Sequence, residues 1–232
     1  MKFSPQQILV FGFAGVILIG SVILSLPVSS ATLQPVNFVD AFFTATSAVC
    51  VTGLIVVNTA AQWSLFGKII ILLLIQIGGL GYMTLATLFV IMLGKQVSLK
   101  DRLAFAEGIQ TFSFVEIKRF IVYVVKITLL IEFVGALILS IKWIPEFGIV
   151  RGFWYSIFHS VSAFCNAGFS TFGQNLSNYV GSIPINLGIT SLIILGGIGY
   201  IVISDIYSYK KTKRLLLHTK VAIFTTAVLI IS

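Results

Sequence analysis

Ser47-Ala48-Val49-Cys50-Val51-Thr52-Gly53-Leu54 returns 115 residues on, from Gly53 to Gly168, as Ser162-Ala163-Phe164-Cys165-Asn166-Ala167-Gly168-Phe169. Ser, Ala, Cys and Gly recur in register. Each copy closes a short apolar segment and precedes a long hydrophobic one. A second motif repeats at nearly the same offset: Gly78-Gly79-Leu80-Gly81-Tyr82 reappears as Gly196-Gly197-Ile198-Gly199-Tyr200. Two linked motifs in the same order mark an internal repeat. The predicted unit is a membrane helix, a re-entrant half-helix, a Gly-ended loop and a second membrane helix.

Composition sets the class. Of 232 residues, 58% are hydrophobic and 9% charged, and apolar runs long enough to cross a hydrocarbon core of about 30 Å recur. This is the composition of an integral membrane protein. The net charge of +8 does not point to nucleic acid, because most of the basic residues lie in two inter-helix segments, where they set topology. Cys50 and Cys165 occupy equivalent positions inside the two loops and are expected to be free thiols. The N-terminus could mimic a signal peptide, but Ile8 to Leu26 is longer than a usual signal core and has an internal counterpart at Phe120 to Ile141.

In chain order, a first span covers Gln7 to Leu26, and Val28 to Asn37 form an external loop. Asn37 and Asp40 signal the start of a helix over Phe38 to Ala48. That helix is too short to span, so it reads as a re-entrant pore helix, with Val49 to Leu54 as its loop. The second span is Leu65 to Leu93, long enough to be tilted or bent. Its glycines Gly78, Gly79 and Gly81, like Gly196, Gly197 and Gly199, suit either a hinge or close packing. The third span is Phe120 to Ile141, with Trp143 at the membrane interface. The second pore helix is Gly152 to Phe164, its loop Cys165 to Phe169, and the fourth span Pro184 to Ser204. The domains are a first membrane repeat at 1–94, a cytoplasmic connector at 95–118, a second repeat at 119–208, and a basic linker opening a third repeat at 209–232. Lys2 at the N-terminus and the Lys and Arg concentrated in the connector and after Tyr209 make that side cytoplasmic in a multi-pass membrane protein. Both loops then dip in from outside.

A pore helix entering from outside aims its partially negative C-terminal end at mid-membrane. The extended loop beyond it offers backbone carbonyls that replace an ion's water, and glycine permits their directions. Candidate ion-pathway residues are therefore Cys50, Val51, Thr52 and Gly53, with Cys165, Asn166, Ala167 and Gly168. The side chains of Thr52 and Asn166 are expected behind the filter. No Walker loop, dinucleotide fingerprint or nucleophile–base constellation is present, so the chain does not read as an enzyme.

Thr46 to Leu54, Gln76 to Tyr82 and His159 to Phe169 together resemble the Trk/Ktr/HKT potassium transporter superfamily, and most of all its Ktr-type bacterial membrane subunit. The likeness covers essentially the whole chain. It implies an all-α membrane protein with four such repeats in pseudo-four-fold array around one pore. It also implies potassium uptake, passive or sodium-coupled, with K⁺ held by filter carbonyls, Na⁺ as the coupling ion where there is one, and no covalent cofactor. As partners it implies lipid, a homodimer and a cytoplasmic nucleotide-binding ring. Glycine at Gly53, where sodium-preferring plant relatives have serine, resembles the potassium-selective type. Two repeats are complete here and the last residues resemble the opening of a third, so the chain looks like an N-terminal fragment of such a protein. A non-conducting membrane scaffold is the alternative.

Glu132 is an intramembrane carboxyl with two readings: a functional charge, or an inward-facing group bonded to its neighbours. Lys126 is expected to snorkel to the interface. His159 is expected to pack or hydrogen-bond rather than hold a metal, and Asp205 to be solvated.

Overall fold

A computed structural model describes residues 5–81, 114–199 and 215–231, together with 202, 203, 205, 206 and 209. Among the described residues the chain is helical, with no strand beyond one bridge between Ser30 and Trp63. The first helix, α1 (Pro5–Ser25), is followed by α2 (Phe38–Val49), the one-turn α3 (Thr59–Gln62) and α4 (Leu65–Leu80). Then come α5 (Phe114–Phe147), α6 (Ile149–Phe164), α7 (Ile183–Gly197) and α8 (Leu217–Ile231). The order long helix, short helix, loop, helix thus occurs twice: as α1, α2 and α4, and as α5, α6 and α7.

The distribution of polarity is that of a protein solvated by lipid. Phe11, Ile19, Leu129, Leu130, Phe133, Phe224 and Leu229 are exposed, while Ser21, Thr128, Glu132, Ser140, Ser156, His159, Ser160 and Ser162 are buried. The interior also holds Trp63, Trp143, Phe158 and Phe164, so what departs from the soluble pattern is the many large apolar side chains left outside and the small polar ones admitted inside, as expected where helices associate through packing and hydrogen bonds. One described stretch, Val122–Phe147, is long and apolar enough to cross a membrane by itself. The 21 residues of α1 extend about 32 Å at 1.5 Å per residue, against about 18 Å for the 12 of α2.

Local signals set the helix starts. The Asn37 side chain accepts from Val39 N at the start of α2, and Ser64 accepts from Gly67 N at the start of α4. Asn58 does the same for α3 through Ala60 N. The corner between α1 and α2 is pinned to the α3–α4 corner by Ser64 Oγ to the Val28 carbonyl at 2.6 Å and Ser64 N to Ser29 O at 2.9 Å. The two halves meet through α4 against α6.

Four expectations need correction. The second span is not one unbroken helix from Leu65: α4 ends at Leu80 because Gly81 takes φ +76°, and the remainder of the span lies outside the described residues, as do 95–113 of the connector and 210–214 of the basic linker; 114–118 of the connector belong to α5. The fourth span likewise breaks after Gly197, with Gly199 at φ +91°. The third is longer than Phe120 to Ile141 and carries Pro145 in its last turn. Trp143 does not face lipid as an interfacial anchor would. It is fully buried, with its ring 4.9 Å from His159, 5.3 Å from Phe172 and 5.7 Å from Tyr179, because α6 and the segment after its loop fold back over it. Tyr179 donates to Glu146 at 2.9 Å. Burial and then that carboxylate push its phenol up to about 12, so it remains a donor at ordinary pH.

Candidate functional site

Helices α2 and α6 end in the same way, bond for bond. Cys50 N bonds Thr46 O at 2.8 Å, Val51 N bonds Ala48 O at 3.3 Å, and Thr52 N bonds Ser47 O at 3.0 Å. One repeat later, Cys165 N bonds Val161 O at 2.9 Å, Asn166 N bonds Ala163 O at 3.0 Å, and Ala167 N bonds Ser162 O at 2.7 Å. The last two bonds of each set are the paired closures of a Schellman motif, which requires a left-handed residue just past the helix. Those residues are Val51 at φ +56° and Asn166 at φ +58°. Asn tolerates that region; a β-branched Val there is strained and persists only where its surroundings over-determine it. Gly53 and Gly168 then take φ +72° and +71°.

The consequence is a set of free acceptors. Among the described residues, no donor bonds the carbonyls of Val51, Thr52 and Gly53, or of Asn166, Ala167 and Gly168. Thr52, Asn166 and Gly168 are exposed and Val51 and Gly53 half-buried, so these acceptors are open to water or to a cation rather than enclosed by protein. The C-terminal ends of α2 and α6 add their partial negative charge to the same place.

The two loops touch. A Cβ on Gly53 would lie 2.5 Å from the Ala167 carbonyl oxygen and 3.2 Å from Gly168 Cα. A cleft of about 110 Å³ opens beside this junction, lined by Gly53, Ile55, Asn58, Gly168, Ser170 and Asn175 among others. Asn58 Nδ2 donates across it to the Gly173 carbonyl at 3.3 Å.

Glycines also set how closely the spanning helices approach. A Cβ on Gly78 would overlap the Val49 carbonyl, and one on Gly196 the Phe164 carbonyl, so equivalent glycines admit equivalent helix ends. Gly79 fits against the Cys165 sulfur, and Gly197 lies 3.9 Å from Asn166 Nδ2 by the same measure. Among the described residues nothing lies within 4 Å of a Cβ at Gly81 or Gly199; there the positive φ breaks the helix.

Side chains hold each loop from behind, by different means. Thr52 Oγ1 bonds Ser47 Oγ at 3.0 Å in the first. In the second, Ser162 Oγ donates to the Phe169 carbonyl at 2.7 Å, and Asn166 Nδ2 reaches the Phe164 and Ile193 carbonyls at 3.4 Å. His159 supports the second loop further. The Tyr155 carbonyl can only accept, so Nδ1 donates to it at 2.8 Å, and Nε2 accepts from Ser170 Oγ at 3.0 Å. Phe172 N donates to the same hydroxyl at 3.1 Å.

The remaining candidates stand apart from the loop surface. Glu132 is buried, with Oε2 accepting from Gln76 Nε2 at 3.0 Å. Lys126 is exposed on α5. Asp205 is not simply solvated: its carboxylate accepts from Leu216 N at 2.9 Å at the start of α8. Both cysteines are free thiols, but they differ. Cys165 is buried and Cys50 exposed, because Gly79 and Gln76 of α4 cover only the second loop. Gln76, Ser170 and Asn58 carry contacts that no local sequence pattern assigns to them. Of the three, Gln76 does leave a sequence signal, since it and Lys68 are the long polar side chains of an otherwise apolar helix.

The TrkH family profile, described as a cation transport protein, matches residues 13–227. The chain is 42% identical over 230 residues to the potassium/sodium uptake protein NtpJ of Enterococcus hirae, covering 99% of this chain and 51% of that protein. It is 44% identical to Ktr system potassium uptake protein B of Bacillus subtilis, covering 99% and 51%, and 38% identical to the protein of that name from Vibrio alginolyticus, covering 99% and 50%. The chain spans about half the length of these curated relatives.

Proposed function

From the premise that this chain belongs to the TrkH cation transport protein family, we propose that it forms two of the pore loops through which a membrane transporter takes up potassium. The observation that carries the reading is the pair of matched loops meeting at Gly53 and Gly168, each with three backbone carbonyls free of protein donors among the described residues. A monovalent cation shedding water needs such oxygens, and rings of backbone carbonyls supply them. In this reading α2 and α6 are re-entrant pore helices, and residues Cys50 to Gly53 and Cys165 to Gly168 line the path. The side chains of Thr52 and Asn166 orient the loops from behind. Relatives named for potassium or for potassium and sodium support K⁺ as the cargo, with Na⁺ as a coupling or competing ion.

Two loops make half of a four-fold ring. The cleft of about 350 Å³ on the far flank of the second loop, lined by Ser162, Asn166, Gly168, Phe169 and Ile189 among others, is where a further unit of that ring packs. The N-terminus and the 95–118 connector lie on the cytoplasmic side, where the basic residues concentrate. The transporter works as a homodimer on a cytoplasmic nucleotide-binding ring, as the family resemblance implies.

The test is Gly53→Ser in the intact transporter that contains this chain, in cells lacking other potassium uptake. Rubidium uptake competed by sodium should lose its discrimination against sodium. An unchanged uptake ratio at unchanged protein level would overturn the reading and leave a non-conducting scaffold.

A further inference from the structure

We propose that Glu132 is a positioning residue for the second loop: with Gln76 it fixes the inner end of that loop, at Cys165, against the first half of the chain, and so sets ion discrimination. The inference rests on the pore-loop reading above and deepens it.

Three polar side chains from three helices meet behind the loop. Gln76 of α4 donates from Nε2 to Glu132 Oε2 at 3.0 Å. The Cys165 sulfur, at the end of α6, lies 3.9 Å from Glu132 Oε1 and 3.9 Å from Gln76 Oε1. The Glu132 backbone is engaged as well, since Ser160 Oγ of α6 donates to its carbonyl at 2.6 Å. Gly79 seats the same sulfur from the α4 side. Glu132 therefore grips α6 through Ser160 and, with Gln76, the start of its loop.

A carboxyl at this depth is expensive to bury and needs partners. Its placement says what it does. Glu132 is 5% exposed and does not line the cleft between Gly53 and Gly168, so it acts through Cys165 rather than by touching an ion. Cys165 is a sound handle on the loop. Asn166 N and Ala167 N are bonded back to Ala163 and Ser162, so a displacement of Cys165 carries Gly168 with it. The junction of Gly53 with Ala167 and Gly168 leaves no slack for such a displacement. Among the described residues no such clamp holds the first loop, where Cys50 is exposed.

The experiment compares Glu132→Gln, Glu132→Leu, Gln76→Leu and the double leucine variant in the intact transporter, scored as the rubidium-to-sodium uptake ratio per amount of protein in the membrane. Glu132→Gln keeps a carbonyl for the Gln76 amide and should hold the ratio near the parent's. Glu132→Leu and Gln76→Leu should each lower it about tenfold, within the coupling range of one hydrogen-bonded network. The double variant should be no worse than either single one. Equal damage from Glu132→Gln and Glu132→Leu would overturn the proposal in favour of the charge itself. An unchanged ratio in the leucine variants would overturn it outright. If Glu132→Leu does not reach the membrane, the ratio in Gln76→Leu decides between the same two outcomes. Gly53→Ser is measured in parallel: if it too leaves the ratio unchanged, the pore-loop reading has failed; if it alone changes the ratio, only the role of Glu132 has.

Discussion

Gly53 and Gly168 are equivalent in sequence and nearly identical in φ, at +72° and +71°, yet their alanine variants should behave differently. At Gly168 a Cβ meets only Gly53 Cα, at 3.5 Å, an ordinary contact. Gly168→Ala then costs only the left-handed conformation, about 1–2 kcal/mol. At Gly53 the same Cβ lies 2.5 Å from the Ala167 carbonyl oxygen, and the obstacle is backbone, which cannot rotate aside. Forcing the loops apart adds an overpacking penalty of about 1–3 kcal/mol. Gly53→Ala should therefore exceed Gly168→Ala by roughly 1–3 kcal/mol, a factor of about five to over a hundred in the population of the native junction. The assay is rubidium uptake with sodium competition, paired with thermal unfolding of the purified protein in detergent. Gly168→Ala equal to or worse than Gly53→Ala, in both measurements, would refute the contact geometry. Parental behaviour of Gly53→Ala would refute the strain argument as well.

The accessibility difference between the cysteines predicts that, in the 232-residue chain in detergent, a maleimide labels Cys50 well before Cys165; equal rates would contradict the cover provided by α4. His159→Phe leaves the Ser170 hydroxyl without its acceptor and removes the second donor to the Tyr155 carbonyl, and should lower stability by about 1–3 kcal/mol. Tryptophan fluorescence reports it, since the Trp143 ring sits 4.9 Å from the imidazole, and an unchanged unfolding midpoint would count against the role of these His159 bonds. Tags at the N-terminus and near Glu107 should both resist external protease in intact cells; cleavage of one alone would reject the four-span topology drawn from the basic residues.

Periodic and local signals determined much of this protein. The repeat motif, the apolar runs, the capping residue Asn37 and the length of Phe38 to Ala48 are properties of short stretches, and α1 and α2 follow them within one or two residues. The glycines of both loops were legible because a positive φ leaves a mark on residue choice. What the tertiary structure decided is everything that depends on which stretches meet. Gly78 and Gly196 are glycine because loop carbonyls lie against them, and no single helix contains that information. Trp143 has the sequence setting of an interfacial anchor, but His159, Phe172 and Tyr179 enclose it. Val51 gave no sign of its left-handed backbone, since nothing in its side chain favours φ +56°; the two closing bonds to Ala48 and Ser47 impose it. Gln76 and Glu132 are 56 residues apart. Their pairing, like the inequality of Cys50 and Cys165, exists only because α4 and α5 both pack on α6.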